Sequence, residues 1–229
     1  MKNISVILTV MVAALFGRAT EPQTGWFFDQ STQQSFYLFD DLTIDGEVVV
    51  GNGCGEDCTD GSVNDCYIDG GCDVVGAFRR GVCSNPDGQG LGETYCTLVL
   101  GATWSLDEEI CIGWRYADSN GATTVPLMGK EGAEILDENG EPYDPPLFPN
   151  SFNYANPGEV AYLKIYDASN GSILDLSPSS ELPGWSLNDI HTIAGTSTAC
   201  NGGDEIDDCG VCSGTFGGHV ENSDMDCTG

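Results

Sequence analysis

The residues with the clearest chemical potential lie near the C-terminal end of the chain. Asp204, Asp207 and Asp208 precede Cys209-Gly210-Val211-Cys212-Ser213-Gly214, and Asn222-Ser223-Asp224-Met225-Asp226-Cys227 follows. Asn222, Asp224 and Asp226 stand two apart, which brings carboxylate and amide oxygens around one point in a tight loop. Ca²⁺ prefers such hard donors in flexible, high-coordination geometry. This is not an EF-hand, because Cys227 stands where the turn glycine belongs and no twelfth-position Glu follows. The plainer alternative is a solvated acidic tail. A second loop, between Cys54 and Cys72, carries Asp57, Asp60, Asp65 and Asp69 in looser spacing, and metal or solvation suits it equally. Asn85, Asp87, Gln89 and Gly90 imitate the opening of an EF-hand loop, yet Cys96 occupies its twelfth position, so this segment reads as a turn.

Other chemistries find thinner support. Zinc sites need paired thiolates, and only Cys209 and Cys212 have that spacing. A redox pair would require a βαβ context that is missing here. Gly195-Thr196-Ser197-Thr198-Ala199 misses the nucleophile elbow at its last position, and His191 and His219 are the only histidines. Paired carboxylates for glycoside hydrolysis carry no information in so acidic a chain. Asn170-Gly171-Ser172 is a glycosylation sequon, although its setting between two strand-like pieces favours a turn role. Trp104 and Trp185 are the candidates for stacking on a sugar, against a core or turn role for each.

Composition sets the compartment in which these residues would work. Lys2, an apolar run from Ile4 to Phe16, and small residues flanking Arg18 read as a secretory leader over residues 1–19. The run is too short to span a bilayer, and nothing after it is long and apolar enough. Setting aside Lys2 and Arg18 leaves five Lys/Arg against 36 Asp/Glu, a net charge near −31. Such a surface repels phosphate backbones and excludes nucleic acid as a partner. It also repels itself unless cations occupy it. Acidic disorder does not fit, because aromatics run through strand-like segments. Eleven cysteines, all beyond the leader, predict an oxidising compartment and a disulfide framework. Their odd number leaves at least one free, intermolecular, or paired with something outside this chain.

The elements that would position these groups are short strands. Trp26-Phe27-Phe28, Ser35 to Phe39, and Leu42 to Ile44 with Val48 to Val50 are strand-like, the last two forming a hairpin across Asp45-Gly46. The central stretch runs from Asp73 to Phe78, is interrupted between Arg79 and Glu109, and resumes from Ile110 to Asp118 and Thr123 to Gly129. A Cys83–Cys96 bridge would close the insertion, though spacing alone cannot fix connectivity. Asn-Gly pairs at 120, 139 and 170 are hairpin signals. Residues 134–157 read as a surface loop, and Val160 to Tyr166, Ile173 to Leu176 and Ile190 to Gly195 as strands, with Trp185 in a turn. No segment holds a helical period. The fold expected is an all-β, disulfide-bonded antiparallel β-sandwich over residues 20–199, followed by a small irregular Cys/Asp-rich module over 200–229.

Ser31 to Tyr37, Ile44-Asp45-Gly46, Asp73 to Phe78, Cys111-Ile112-Gly113, Val125 to Gly129, Lys164 to Ala168 and Gly184-Trp185 together resemble a β-sandwich module of large secreted surface proteins of marine bacteria. In that module the Gly-Ala-Phe strand runs directly into the Cys-x-Gly strand, so the Cys83/Cys96 segment is a departure. Asp208 to Gly214 and Asp226 to Gly229 are similar to thrombospondin type 3 calcium-binding repeats. The resemblance implies a secreted, extracellular or cell-surface protein with a non-enzymatic, calcium-stabilised adhesion or architectural role. Expected partners are an extracellular protein or glycan, and an array neighbour or intermolecular disulfide. The competing readings are a carbohydrate-binding module and, behind it, a secreted glycoside hydrolase or esterase on a jelly-roll scaffold.

Overall fold

A computed structural model describes residues 18–51, 66, 71–85, 95–119, 122–131, 154–203, 205–207 and 211–213. The chain forms β1 (Arg18–Thr20), β2 (Phe27–Asp29), β3 (Gln34–Ile44), β4 (Glu47–Val48), β5 (Val74–Cys83), β6 (Trp104–Tyr116) and β7 (Thr123–Met128). After these come β8 (Tyr162–Asp167), β9 (Ser172–Asp175), β10 (Ser177–Pro178), β11 (Ile190–Ala199), β12 (Glu205–Ile206) and β13 (Cys212–Ser213). Helical geometry is confined, among the described residues, to single turns at Tyr95–Val99 and Asn201–Gly203. The fold is all-β, as predicted.

Two sheets share one apolar core. In the four-stranded sheet the order is β6-β5-β8-β9, and every pairing is antiparallel. In the five-stranded sheet, β3 is central: β7 and β4 flank successive lengths of one edge, while β11 and then β10 follow on the other. Strand β8 shows the cause plainly. Its alternation buries Leu163, Ile165 and Asp167 and leaves Tyr162, Lys164 and Tyr166 half-exposed, because successive side chains point to opposite faces. Likewise β3 sends Ser35, Tyr37 and Phe39 inward. Tyr37, Phe39, Val125 and Leu127 from one sheet share a cluster with Val75, Ala77, Ile112 and Ile165 from the other. Each apolar side chain so buried contributes about 1.5–3 kcal/mol. Gly113 marks the closest approach of the sheets, since a Cβ there would stand 1.7 Å from the Pro126 carbonyl oxygen. Pro126 itself is tolerated because β7 is an edge strand.

Several expectations are corrected. Pairing is mixed, because β11 runs parallel to β3 from Ile190 beside Phe36 to Ala199 beside Ile44. Strand β3 is continuous where the sequence suggests two pieces. The Asp45-Gly46 hairpin does form, with φ of 52° and 82°, the positive values a type I′ turn demands. Strands β5 and β6 extend beyond Arg79 and before Glu109, so the insertion is the loop of one long hairpin. Asn120-Gly121 lies outside the described residues; the strands on either side, β6 and β7, belong to different sheets, and Gly113 against Pro126 is a contact between layers. At Asn170-Gly171 a hairpin forms, but with four loop residues, closed by the Gly171 N–H donating to the Asp167 carbonyl at 2.8 Å. Asn139-Gly140 lies outside the described residues. The end of the supposed surface loop is core: Tyr154 and Ala155 are buried, and the Asp29 N–H donates to the Tyr154 hydroxyl. Strand β11 continues through Gly195, where the register shifts, to Ala199.

Disulfides join Cys66 to Cys72 and Cys200 to Cys212, and Cys96 is also disulfide-bonded. The side chain of Cys83 lies outside the described part, as do residues 1–17 of the predicted leader. The leader boundary at 19/20 falls within β1, whose Ala19 carbonyl accepts a hydrogen bond from Trp114 Nε1. Among the described residues, no helix is long and apolar enough to cross a membrane.

Candidate functional site

Of the predicted calcium ligands, Asp207 is among the described residues. Asp204, Asp208, Asn222, Asp224, Asp226, Asp57, Asp60, Asp65 and Asp69 lie outside them. Asp207 closes the turn between β12 and β13: its N–H donates to the Val211 carbonyl (2.9 Å), and its Oδ1 accepts the Val211 N–H (3.0 Å). Among the described residues, no three His, Cys, Asp or Glu side chains converge as a metal would require. Cys212 is bonded to Cys200, which removes it from the zinc or redox pair that its spacing from Cys209 offered.

A different set of oxygens meets where β3, β5 and β8 face the start of the tail. Asn201 donates its N–H to Asp45 Oδ1 (2.9 Å), and its Nδ2 to Asp45 Oδ2 (2.9 Å) and Asp167 Oδ2 (3.1 Å). Asn170 Nδ2 donates to Asp167 Oδ2 (2.9 Å) and Asn201 Oδ1 (3.2 Å), which is the turn role expected of it. Asp73 accepts the Val50 and Ala168 N–H groups (2.7 and 2.8 Å). Burial pushes the Asp73 carboxyl up, opposed by those two N–H bonds and assisted by the Asp167 charge. Burial acts the same way on Asp167, but hydrogen bonds from Ser169, Asn201 and Asn170 outweigh it and hold that carboxyl below the usual range. These carboxylates are occupied by protein donors, so the cluster acts as a latch that ties residue 201 to the sandwich.

The nucleophile and sugar-stacking candidates move as well. Ser197 is fully buried in β11, without a hydrogen bond to its hydroxyl. Ser186 donates to Asp189 and lies 3.3 Å from His191 Nε2. That is not a catalytic triad, which needs the carboxylate on the imidazole. Trp185 is 4% exposed and donates Nε1 to the Leu127 carbonyl, so it is a core residue and not a platform for sugar. Trp104 is half-buried at the start of β6, near the Arg79 guanidinium.

The sequence reading missed a groove on the outer face of the four-stranded sheet. It has a volume of about 330 Å³, with Trp26, Phe27, Phe78, Ile110 and Tyr154 among its lining and Glu109 at its rim. Phe27 is 42% exposed, while Trp26 meets Phe78 edge-on, 5.1 Å between centroids. The Glu109 carboxylate takes Arg80 Nε on Oε1 (3.0 Å) and Lys164 Nζ on Oε2. Arg80 also lies over the Tyr162 ring. Burial first, then the neighbouring Asp175 carboxylate, pushes the Tyr162 hydroxyl up to about 12, against the lowering effect of Arg80. At the same end of β5, Arg79 is buried and grips Glu159 through Nε (2.9 Å) and Nη2 (3.1 Å). Burial would raise the Glu159 carboxyl, but the Arg79 and Asn156 bonds outweigh it and hold it low. Lys130 is held below the usual ammonium range by burial and by the Arg79 charge, against the attraction of Glu159. The signal for this site was present in sequence as charge scarcity: Arg80 and Lys164, which hold Glu109, are two of only five cations beyond residue 19.

Comparisons with protein-family models, with curated proteins and with solved structures find no match. The structure itself defines a disulfide-bonded, sandwich-like all-β protein.

Proposed function

We propose that this is a secreted, non-enzymatic surface or adhesion protein, a disulfide-braced scaffold that engages an extracellular partner through the outer face of its four-stranded sheet. Calcium bound by its Asp/Cys-rich segments belongs to the same reading. Its support there is the donor chemistry of those segments, since the ligands other than Asp207 lie outside the described residues.

The observation that carries the reading is where the cations stand. In a chain with 36 acids, Arg80 and Lys164, two of the five cations beyond residue 19, both stand on Glu109 beside an open aromatic groove. Long-range charge repulsion would be relieved by spreading them. Concentrating them makes one surface on which a partner meets balanced charge and apolar area together, whereas the rest of the molecule repels most biological surfaces. The test is attachment. Beads coated with the oxidised full-length chain should adhere to polysaccharide- or protein-coated surfaces in calcium-containing buffer, well above albumin-coated beads. Adhesion no greater than albumin on every surface would remove the proposal.

A further inference from the structure

We infer that the groove between Trp26, Phe27, Phe78, Ile110, Tyr154 and Glu109 is a binding subsite for a neutral sugar chain. This rests on the surface role proposed above and names the ligand class through which it acts.

The groove joins two kinds of surface that few ligands satisfy together. Its floor is aromatic and apolar. Trp26 is braced edge-on by Phe78, so it offers contact area with little conformational freedom left to lose, and Phe27 is open to solvent. Its rim is a charged ridge. Arg80 and Lys164 hold the two oxygens of Glu109 from different sides, which fixes the carboxylate while each oxygen keeps further acceptor capacity and both cations keep spare N–H donors. Acceptors flanked by donors suit vicinal hydroxyls, because each hydroxyl both gives and takes a hydrogen bond. A pyranose ring presents such hydroxyls on its edge and an apolar C–H face beside them.

The alternatives fit less well. An apolar peptide or an acyl chain would cover the ridge and strip water from three charges without replacing its hydrogen bonds, which is costly. A polyanion would bring its charge to a chain of net charge −29 and to Glu109 itself. At about 330 Å³ the groove also falls at the small end of the ~300–1,000 Å³ typical of ligand sites. That size suits a short stretch of a sugar polymer.

The experiment is affinity electrophoresis of the oxidised full-length chain through native gels containing β-glucan, xylan, mannan, galactan or sulfated galactan, with thermal melting of every variant. At least one neutral polysaccharide should retard the protein. Phe27→Ala and Glu109→Gln should each weaken that retardation tenfold or more. Ile173→Ala, at an exposed apolar position on β9, should leave it unchanged. If Glu109→Gln fails to fold, Phe27→Ala decides alone. No retardation by any neutral polymer, retardation by sulfated galactan only, or retardation indifferent to Phe27→Ala overturns the inference. Beads that still adhere in the assay above, with adhesion unaffected by Phe27→Ala and by soluble neutral polysaccharide, would sink the sugar subsite and leave the surface role standing.

Discussion

At the scale of single residues, the pair Arg79–Glu159 shows how burial and bonding compete. Arg79 is 6% exposed, so loss of its carboxylate partner leaves a cation without compensation in the interior. Glu159→Gln should therefore cost about 2–4 kcal/mol at pH 7, read from denaturant unfolding. The sign with pH follows from the lowered Glu159 carboxyl. Its contribution is present above the unfolded value of about 4.3 and is lost as pH falls through the lower folded value. The gap between wild type and Glu159→Gln should thus be full at pH 7 and narrow below pH 4; a gap constant over that range would contradict the assignment. Cys111 gives a second expectation. It is the free cysteine among the described residues, and burial first, against a backbone hydrogen bond at Gly113, pushes its thiol up to about 12. Thiolate is the reactive form, so Cys111 should resist iodoacetamide at pH 8 in the native state and react once the chain is unfolded in denaturant. Rapid native labelling at Cys111 would refute this.

At the scale of elements, the junction with the tail shows how the start of the Cys/Asp-rich segment is held. The composition break after Ala199 suggests a separate module. Among the described residues of that segment, Asn201 bridges Asp45 and Asp167, and Cys212 is buried close to the end of β11. Asn201→Ala removes the two Nδ2 hydrogen bonds to Asp45 and Asp167 and keeps the backbone N–H bond to Asp45. It should accelerate amide exchange over residues 200–213 while lowering the global melting temperature by only a few degrees. Uniform acceleration across the sandwich would mean that the junction is part of its central stability. Which elements were legible follows from the range of the forces behind them. Period-two burial in β8, the Asp45-Gly46 turn and the strand character of Val74–Phe78 and Thr123–Met128 are local, and the sequence carries them. The parallel pairing of β11 with β3 depends on residues about 150 apart, and no turn signal encodes it. Trp185 reads as a turn residue or a core one, and the second is what tertiary contact supplies, its indole buried and donating to the Leu127 carbonyl of β7. The groove escaped notice because its walls come from β2, β5 and β6, and only the scarcity of cations hinted at it.

At the scale of the molecule, charge is the dominant fact. Thirty-six acids against seven Lys/Arg make the compact state repel itself, and divalent ions relieve such repulsion more effectively than burial can. Extracellular calcium sites fill at roughly 10⁻⁴–10⁻³ M. The proposed calcium role therefore predicts that millimolar calcium raises the melting temperature of the oxidised chain and that EDTA lowers it, by linkage of binding to folding. Magnesium or sodium at equal ionic strength should do less. A melt indifferent to EDTA would remove calcium from the account without disturbing the sandwich, whose core is apolar and whose braces are sulfur.

The side-by-side run of β3 and β11 has a mechanical meaning. One is the first long strand and the other the last, and they point the same way, so tension that draws the two ends of the chain apart slides one strand along the other. The rungs from Phe36 to Phe39 and from Asp41 to Ile44, on either side of the register shift, then bear load together rather than one at a time. Stretched from handles placed before Gln34 and after Ala199, the protein should yield at a distinctly higher force than when handles are placed across the antiparallel β8–β9 hairpin, where bonds open one at a time.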